Sequence, residues 1–445
     1  MDVAKLALKV PEVLLPGPGV DLHRWAVIAC DQYTSEPEYW EAVDRLVADR
    51  PSTLRLVFPE VYLEDAGGDA RIADINASMK QYLADGVLVS QGPGFVLVDR
   101  KTSHVPSRKG LIVALDLEAY DYRPGSKTLI RTTEGTIVDR LPPRIRVREN
   151  AAIELPHIMV LIDDPEQTVI EPLRQAELEK IYDFELMQGG GHLRGWRVAQ
   201  PELLEQVASA LGALAVKERF QKRYEVNDNE VMLYAMGDGN HSFATAKAIW
   251  EQLKSAASDP ADIMTHPARY ALVELVNLHD PGLEFEAIHR VVFDVSVDDL
   301  LARAEAYYQA VGTPCIVAEY PGLVAATAAV AAAGTAHAIA FVTAQGYAVL
   351  RIDQPSLTLE VATLQNFLDE YLKSRSKARI DYIHGDDAVT RLGSQQGNIG
   401  FYLPSISKHD LFRTIVRDGA LPRKTFSMGE ADEKRFYLEA RRITR

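Results

Sequence analysis

Cysteine is scarce in this chain: Cys30 and Cys315 are the only two in 445 residues. Two thiols exclude a disulfide framework and any zinc site built on cysteine, and they suit a reducing cytoplasm. Long apolar runs are also missing. The nearest, Val324 to Val342, is mostly alanine and is interrupted by Thr327, Gly334, Thr335 and His337. A helix followed by a strand is expected there rather than a bilayer span. No basic stretch leads into an apolar one at the N-terminus, where Pro11, Pro16 and Pro18 intervene, so no signal segment is expected. Positive charge is short as well. Lys and Arg number 48 against 63 Asp and Glu, a net charge of −15. That argues against broad nonspecific binding to nucleic acid or to an anionic membrane surface, while leaving room for a local basic pocket. The expectation is a soluble cytoplasmic protein with no membrane partner.

What is present is an ordinary globular composition spread over a length that calls for two or three domains. The pattern predicts an α/β (α+β) chain in three parts. Residues 1–105 read as an irregular α/β module, with a buried strand at Trp25 to Cys30 and helices at Glu38 to Asp49 and Asp74 to Ala84. Residues 106–295 carry most of the strand signals and read as the core domain. Residues 296–445 read as a further α/β module. Its expected terminal helix runs through Arg442 from a capping-box spacing at Ser427 to Glu430. The alternating Arg144, Arg146 and Arg148 would share one face of a strand.

The stretch from Tyr234 to Leu253 is the most informative. An apolar run enters Gly237-Asp238-Gly239-Asn240-His241-Ser242, and a helix follows with Phe243, Ala246, Trp250 and Leu253 on its apolar face. A strand running into a helix N-terminus aims backbone N–H groups at whatever occupies the turn and favours an anion there. Gly237 and Gly239 permit close backbone approach, and Asn240 is the expected N-cap. Asp238 can accept hydrogen bonds or hold Mg²⁺, and His241 can donate to phosphate. Spacing alone leaves a second reading open, a capped turn whose Asp and His merely satisfy the backbone. Neither the Walker A pattern nor GxGxxG is present.

Residues 237–242, with Ala244 and Ala246, resemble the Asp-Gly-His-His-Arg motif of the ParB/sulfiredoxin-like superfamily, most closely its free-serine-kinase branch. The resemblance implies a ParB/sulfiredoxin-like mixed-sheet core in which Asp238, Gly239, Asn240, His241 and Ser242 line a nucleotide phosphate site. It also implies ATP or ADP with Mg²⁺, and a kinase phosphorylating a free hydroxy-amino acid such as serine. Ser242 stands where that motif has arginine, which removes a bidentate phosphate contact. Lys247, Arg194 and Arg423 are the candidate replacements. Thr133-Glu134, in the segment Arg131 to Thr136, resembles the branch's His-Glu pair. It makes Glu134 the candidate base for the acceptor hydroxyl, with Arg131 beside it a further phosphate-binding candidate, although an exposed strand glutamate paired with Arg131 or Arg144 fits the pattern equally. Over nearly its whole length the chain also resembles a bacterial family known only as a conserved domain of unknown function, numbered ten-fifteen. That likeness rests on Trp25 to Tyr33, Asp238 to His241, His289-Arg290 and Asp381 to Gly385. Other readings of the same pocket are a nucleotide-binding regulator and a phosphohydrolase. Cys30, at a strand end, has no base identifiable beside it in the sequence.

Overall fold

Alternation along three adjacent strands decides the centre of the molecule. In Phe95–Lys101, Phe95 and Leu97 enter one core while Val96 and Val98 enter another. In Arg108–Asp116, Leu111, Val113 and Leu115 part company with Ile112 in the same way, as Ala271, Val273 and Leu275 do with Leu272 in Tyr270–Asn277. Side chains point to opposite faces with a period of two, so strands apolar on both sides demand cover on both sides. The computed structural model, which describes residues 3–63 and 65–445, supplies that cover.

Two compact units divide the chain. The first runs to Glu284 and takes in Met428–Arg445; the second is Phe285–Ser427. The sequence reading placed boundaries near 105 and 295. In the structure Phe95–Lys101 pairs with Arg108–Asp116 across the first of these, and the second unit begins at Phe285.

The first unit holds a nine-stranded mixed sheet. Its strands are β1 (Leu8–Lys9), β2 (Phe95–Lys101), β3 (Arg108–Asp116), β4 (Ile130–Arg131), β5 (Met159–Ile162), β6 (Glu179–Glu185), β7 (His192–Val198), β8 (Tyr234–Asp238) and β9 (Tyr270–Asn277). The order is β6-β7-β2-β3-β9-β5-β8-β4, with β1 on β3. Pairing is antiparallel except for β9 with β5 and β8 with β4.

Two helices of this unit bear on the site. Helix α1 (Leu141–Arg148) lies where a strand was expected. Pro142 and Pro143 preset the first helical turn, and the i, i+4 pair Arg144 and Arg148 then shares a face. There they meet Glu60 and Glu154, the latter at 2.5 Å. Helix α2 (Asn240–Ala256) packs Phe243, Ala244, Ala246 and Trp250 into the sheet's core. Phe243 meets Tyr120 edge-on at 4.6 Å, and Trp250 donates to Glu118 at 2.5 Å. Two such buried aromatics contribute about 2–3 kcal/mol each, enough to fix the helix axis.

The expected terminal helix is absent. Residues beyond Met428 form a short 3-10 turn, Ala431–Glu433, then two short strands, Phe436–Tyr437 and Arg441–Arg442. The capping box is real but sits at Glu430 and Glu433. Tertiary partners override the helical signal: Arg435 is buried against Glu274 and Glu439 and donates to the Pro156 carbonyl at 2.8 Å.

The second unit is a six-stranded antiparallel sheet whose core gathers Val291, Ala326, Ala340, Val342 and Val389. Leu323–Ala331 is a helix and His337–Thr343 a strand, as the alanine-rich run predicted. Among the described residues no helix is long and apolar enough to cross a membrane.

Candidate functional site

Strands β4 and β8 run parallel, with Tyr234 opposite Ile130 and Ala235 opposite Arg131. Their C-terminal ends therefore emerge side by side. Past β4 come Thr132 to Glu134; past β8 come Asp238 to Ser242. The two segments touch, the Thr132 hydroxyl lying 2.8 Å from Asn240 Oδ1 and also meeting the Glu134 carbonyl. The half-buried Glu134 is thus held in the same loop cluster as the glycine-bracketed acid.

The turn itself depends on Gly239. Its φ is +77°, and a Cβ there would lie 3.0 Å from Ile158 Cα. Both facts favour glycine. Gly239, not Asn240, is the N-cap, and Asn240 is the first helical residue. The first intrahelical bond runs from the Phe243 N–H to the Gly239 carbonyl at 3.0 Å. The N–H groups of Asn240, His241 and Ser242 precede it, at the positive end of the helix dipole.

Asp238 accepts from the Gly239 N–H at 2.8 Å, and Lys434 Nζ stands 3.2 Å from its other oxygen. Burial works against the charged carboxylate. Lys434, His157 and the Gly239 N–H outweigh it and hold the carboxyl below its ordinary value. Lys434 also donates to the Met428 carbonyl at 3.1 Å. It is the cation at this loop, and no motif in the sequence singled it out.

The other candidate cations are engaged elsewhere. Lys247 donates to the Leu117 carbonyl at 2.9 Å and pairs with Glu251 at 2.6 Å. Arg131 is buried and donates to the carbonyls of Thr128 and Glu230, ahead of the paired strand ends. Arg194 lies on β7, five strands from β8 and hence about 24 Å across the sheet. It pairs there with Asp99 at 3.0 Å. Arg423 belongs to the second unit, where its Nε donates to the Tyr382 hydroxyl at 2.6 Å.

Ser242 Oγ lies 3.0 Å from His157 Nε2. His157 Nδ1 lies 2.7 Å from the Tyr437 hydroxyl, which donates to Cys30 Sγ at 3.1 Å and accepts from the Cys30 N–H at 3.3 Å. Burial, with Asp31 and Glu60 nearby, pushes the Cys30 thiol well above its ordinary value, so it stays protonated and is no nucleophile. Ser242, His157, Tyr437 and Cys30 line a cavity of about 130 Å³, otherwise mostly apolar. Glu60 and Arg144 also face it. Burial raises the Glu60 carboxyl, and Arg144 beside it pulls the other way. Neither His157 nor Tyr437 carried a sequence signal. His157 merely precedes an apolar strand, and Tyr437 was assigned to a helix that does not form.

Among the described residues no group of three or more His, Cys, Asp and Glu side chains could hold a metal alone. The single carboxylate of Asp238 fits Mg²⁺ only in the shared mode, with phosphate oxygens and water completing the shell.

A doubly covered mixed sheet with a strand-turn-helix loop at the ends of two parallel strands thus defines an α/β protein with a candidate small-molecule centre in its first unit. The chain belongs to the family described as protein of unknown function DUF1015, whose family model matches residues 14–371. No curated protein matches it. Among solved structures it is similar to a free serine kinase in complex with AMP, at 11% identity over 75% of this chain and 91% of that one, TM-score 0.38. It is also similar to a conserved hypothetical protein from Pyrococcus furiosus, at 13% identity over 75% and 95%, TM-score 0.36. A third is SbnI with a C-terminal truncation from Staphylococcus aureus, at 10% identity over 72% and 82%, TM-score 0.35.

Proposed function

We propose that this protein transfers a phosphoryl group from ATP or ADP to the hydroxyl of a small molecule, a free hydroxy-amino acid such as serine being the first acceptor to test. The observation that carries the reading is the contact between Thr132 and Asn240, which holds the Glu134 segment against the turn at the head of α2. The nucleotide phosphates lie at the N–H groups of residues 240–242, with His241 and Lys434 beside them. Asp238 is the residue that holds Mg²⁺, which neutralises phosphate charge when bound. Glu134 takes the proton from the attacking hydroxyl. The 130 Å³ cavity is far too small for a nucleotide but is of the size class that accepts a benzene-sized molecule.

The test is nucleotide turnover against a panel of free hydroxy-amino acids. Glu134→Gln is expected to lower kcat by about 10²–10⁴-fold while leaving nucleotide affinity within about twofold. If no acceptor is phosphorylated and the variant behaves as the parent, the transfer reading fails. Nucleotide bound but never consumed would mark a regulator instead, and phosphate released from a phosphorylated small molecule without nucleotide would mark a hydrolase.

A further inference from the structure

We infer that Ser242 is itself a phosphoryl acceptor, forming a phosphoseryl enzyme from a nucleoside triphosphate with His157 as the base. The inference rests on the nucleotide reading above, because the donor must lie at the head of α2.

A serine early in a helix ordinarily bonds to its own backbone, either capping the first turn or reaching back to the carbonyl four residues before. Thr245 does the latter, donating to the His241 carbonyl at 2.7 Å. Ser242 instead reaches an imidazole 85 residues away in sequence, at 3.0 Å. That imidazole is oriented from behind by the fully buried Tyr437, whose ring meets it edge-on. The contacts accommodate the tautomer with its proton on Nδ1. In that tautomer Nδ1–H donates to the Tyr437 oxygen across 2.7 Å, the Tyr437 hydroxyl turns to Cys30 Sγ, and Nε2 presents a lone pair to Ser242 Oγ. Hydroxyl, base and orienting group stand in the relation that activates a serine nucleophile. The hydroxyl belongs to the same first turn whose N–H groups would hold the donor phosphates.

The step balances without an outside reagent beyond the nucleotide. Ser242 Oγ attacks the terminal phosphorus, and the new O–P bond forms as the bond from that phosphorus to its bridging oxygen breaks. The nucleoside diphosphate leaves with the electron pair of the broken bond. The serine proton passes to His157 Nε2, and the resulting imidazolium keeps its Nδ1–H bond to Tyr437.

The experiment uses the full chain with γ-labelled ATP and magnesium and no acceptor, quenched in acid within the first turnover and mapped by peptide mass spectrometry. The expected result is one phosphoryl group on the peptide carrying Ser242. Ser242→Ala should abolish it, and His157→Gln should slow labelling by about 10²–10⁴-fold with nucleotide affinity, measured by calorimetry, within about twofold of the parent. ATP that binds and is consumed with no label at Ser242 overturns the covalent step and leaves the transfer reading standing. Absence of ATP binding by calorimetry overturns both. Because the label is mapped on the unaltered protein, the result does not depend on either variant folding.

Discussion

Replacing Gly239 by alanine tests the turn on which the site depends. An L-residue at φ +77° incurs a left-handed penalty of about 1–2 kcal/mol. Its methyl group would lie 3.0 Å from Ile158 Cα and 3.1 Å from Ile158 Cγ1. The first of these is backbone and cannot swing aside, so overpacking adds about 1–3 kcal/mol. Restricting the unfolded chain returns about 0.4–1 kcal/mol, which leaves a net loss of about 1–5 kcal/mol centred near 3. Gly237→Ala is the internal control. Its φ is not positive, and the new methyl group would meet the flexible tip of Met428 at 2.8 Å, Leu161 Cγ at 3.1 Å and the Met159 carbonyl oxygen at 3.2 Å, so the overpacking cost of about 1–3 kcal/mol is expected without the left-handed penalty. The four tryptophans, Trp25, Trp40, Trp196 and Trp250, all lie in the first unit. Tryptophan fluorescence during urea unfolding therefore reports that unit, and linear extrapolation gives the difference. Ile158 adjoins His157, so Gly239→Ala should also slow labelling of Ser242. Equal losses from the two alanines, or a loss under about 1 kcal/mol at position 239, would refute the reasoning.

Other expectations are more compact. Lys434→Met removes the cation beside Asp238 and a charge-assisted contact worth about 1.5–3 kcal/mol. Nucleotide affinity by calorimetry should fall by about tenfold or more, and an unchanged Kd would remove Lys434 from the site. Arg194→Ala should leave nucleotide affinity unchanged yet lower stability by about 1–3 kcal/mol, because it deprives the buried Asp99 of its ion pair; weaker nucleotide binding would contradict its placement. Acid should weaken the first unit through Glu154 and Glu274. Burial opposes their charge, but Arg441 and Arg148 beside the first and Arg435 beside the second hold both carboxyls below the ordinary value. Depressed carboxyls stabilise the fold above the unfolded glutamate value, about 4.3, and that stability is lost as pH falls from there through the folded values. Each contributes a slope of up to about 1.4 kcal/mol per pH unit. Thermal melts from pH 7 downward should be flat at first and then fall steeply below about pH 4.3; melts that stay flat would count against the paired carboxylates.

Local signals were legible where local physics decides. The glycine turn and apolar helix face around residues 237–253 appear where the pattern put them, because tight turns and helix faces are set by near neighbours, whereas the strand before them starts at Tyr234 rather than Val231. The alanine-rich run resolved correctly into helix and strand for the same reason. What escaped was set by distant partners. Arg144, Arg146 and Arg148 alternate like a strand, but the two prolines before them start a helix. The segment after Ser427 carries a helical signal, yet Arg435 finds Glu274 and the Pro156 carbonyl, and the chain extends. Tyr437 and Lys434 share one short stretch, but His157 lies 280 residues before Tyr437, so no spacing could have joined them to it. Arg194 failed as a candidate because its distance from the turn is a property of strand order, which the pattern does not record.

The split of the first unit around the second has a consequence for how the protein is made. Asp238 leaves the ribosome almost two hundred residues ahead of Lys434, the ammonium that balances it. At translation speeds of about 5–20 residues per second, that is a wait of roughly 10–40 s. Through that interval Asp238 has His157 and the Gly239 N–H beside it but not its ammonium, while a whole intervening unit is built. The centre is complete only once residues 428–445 have returned to the first unit.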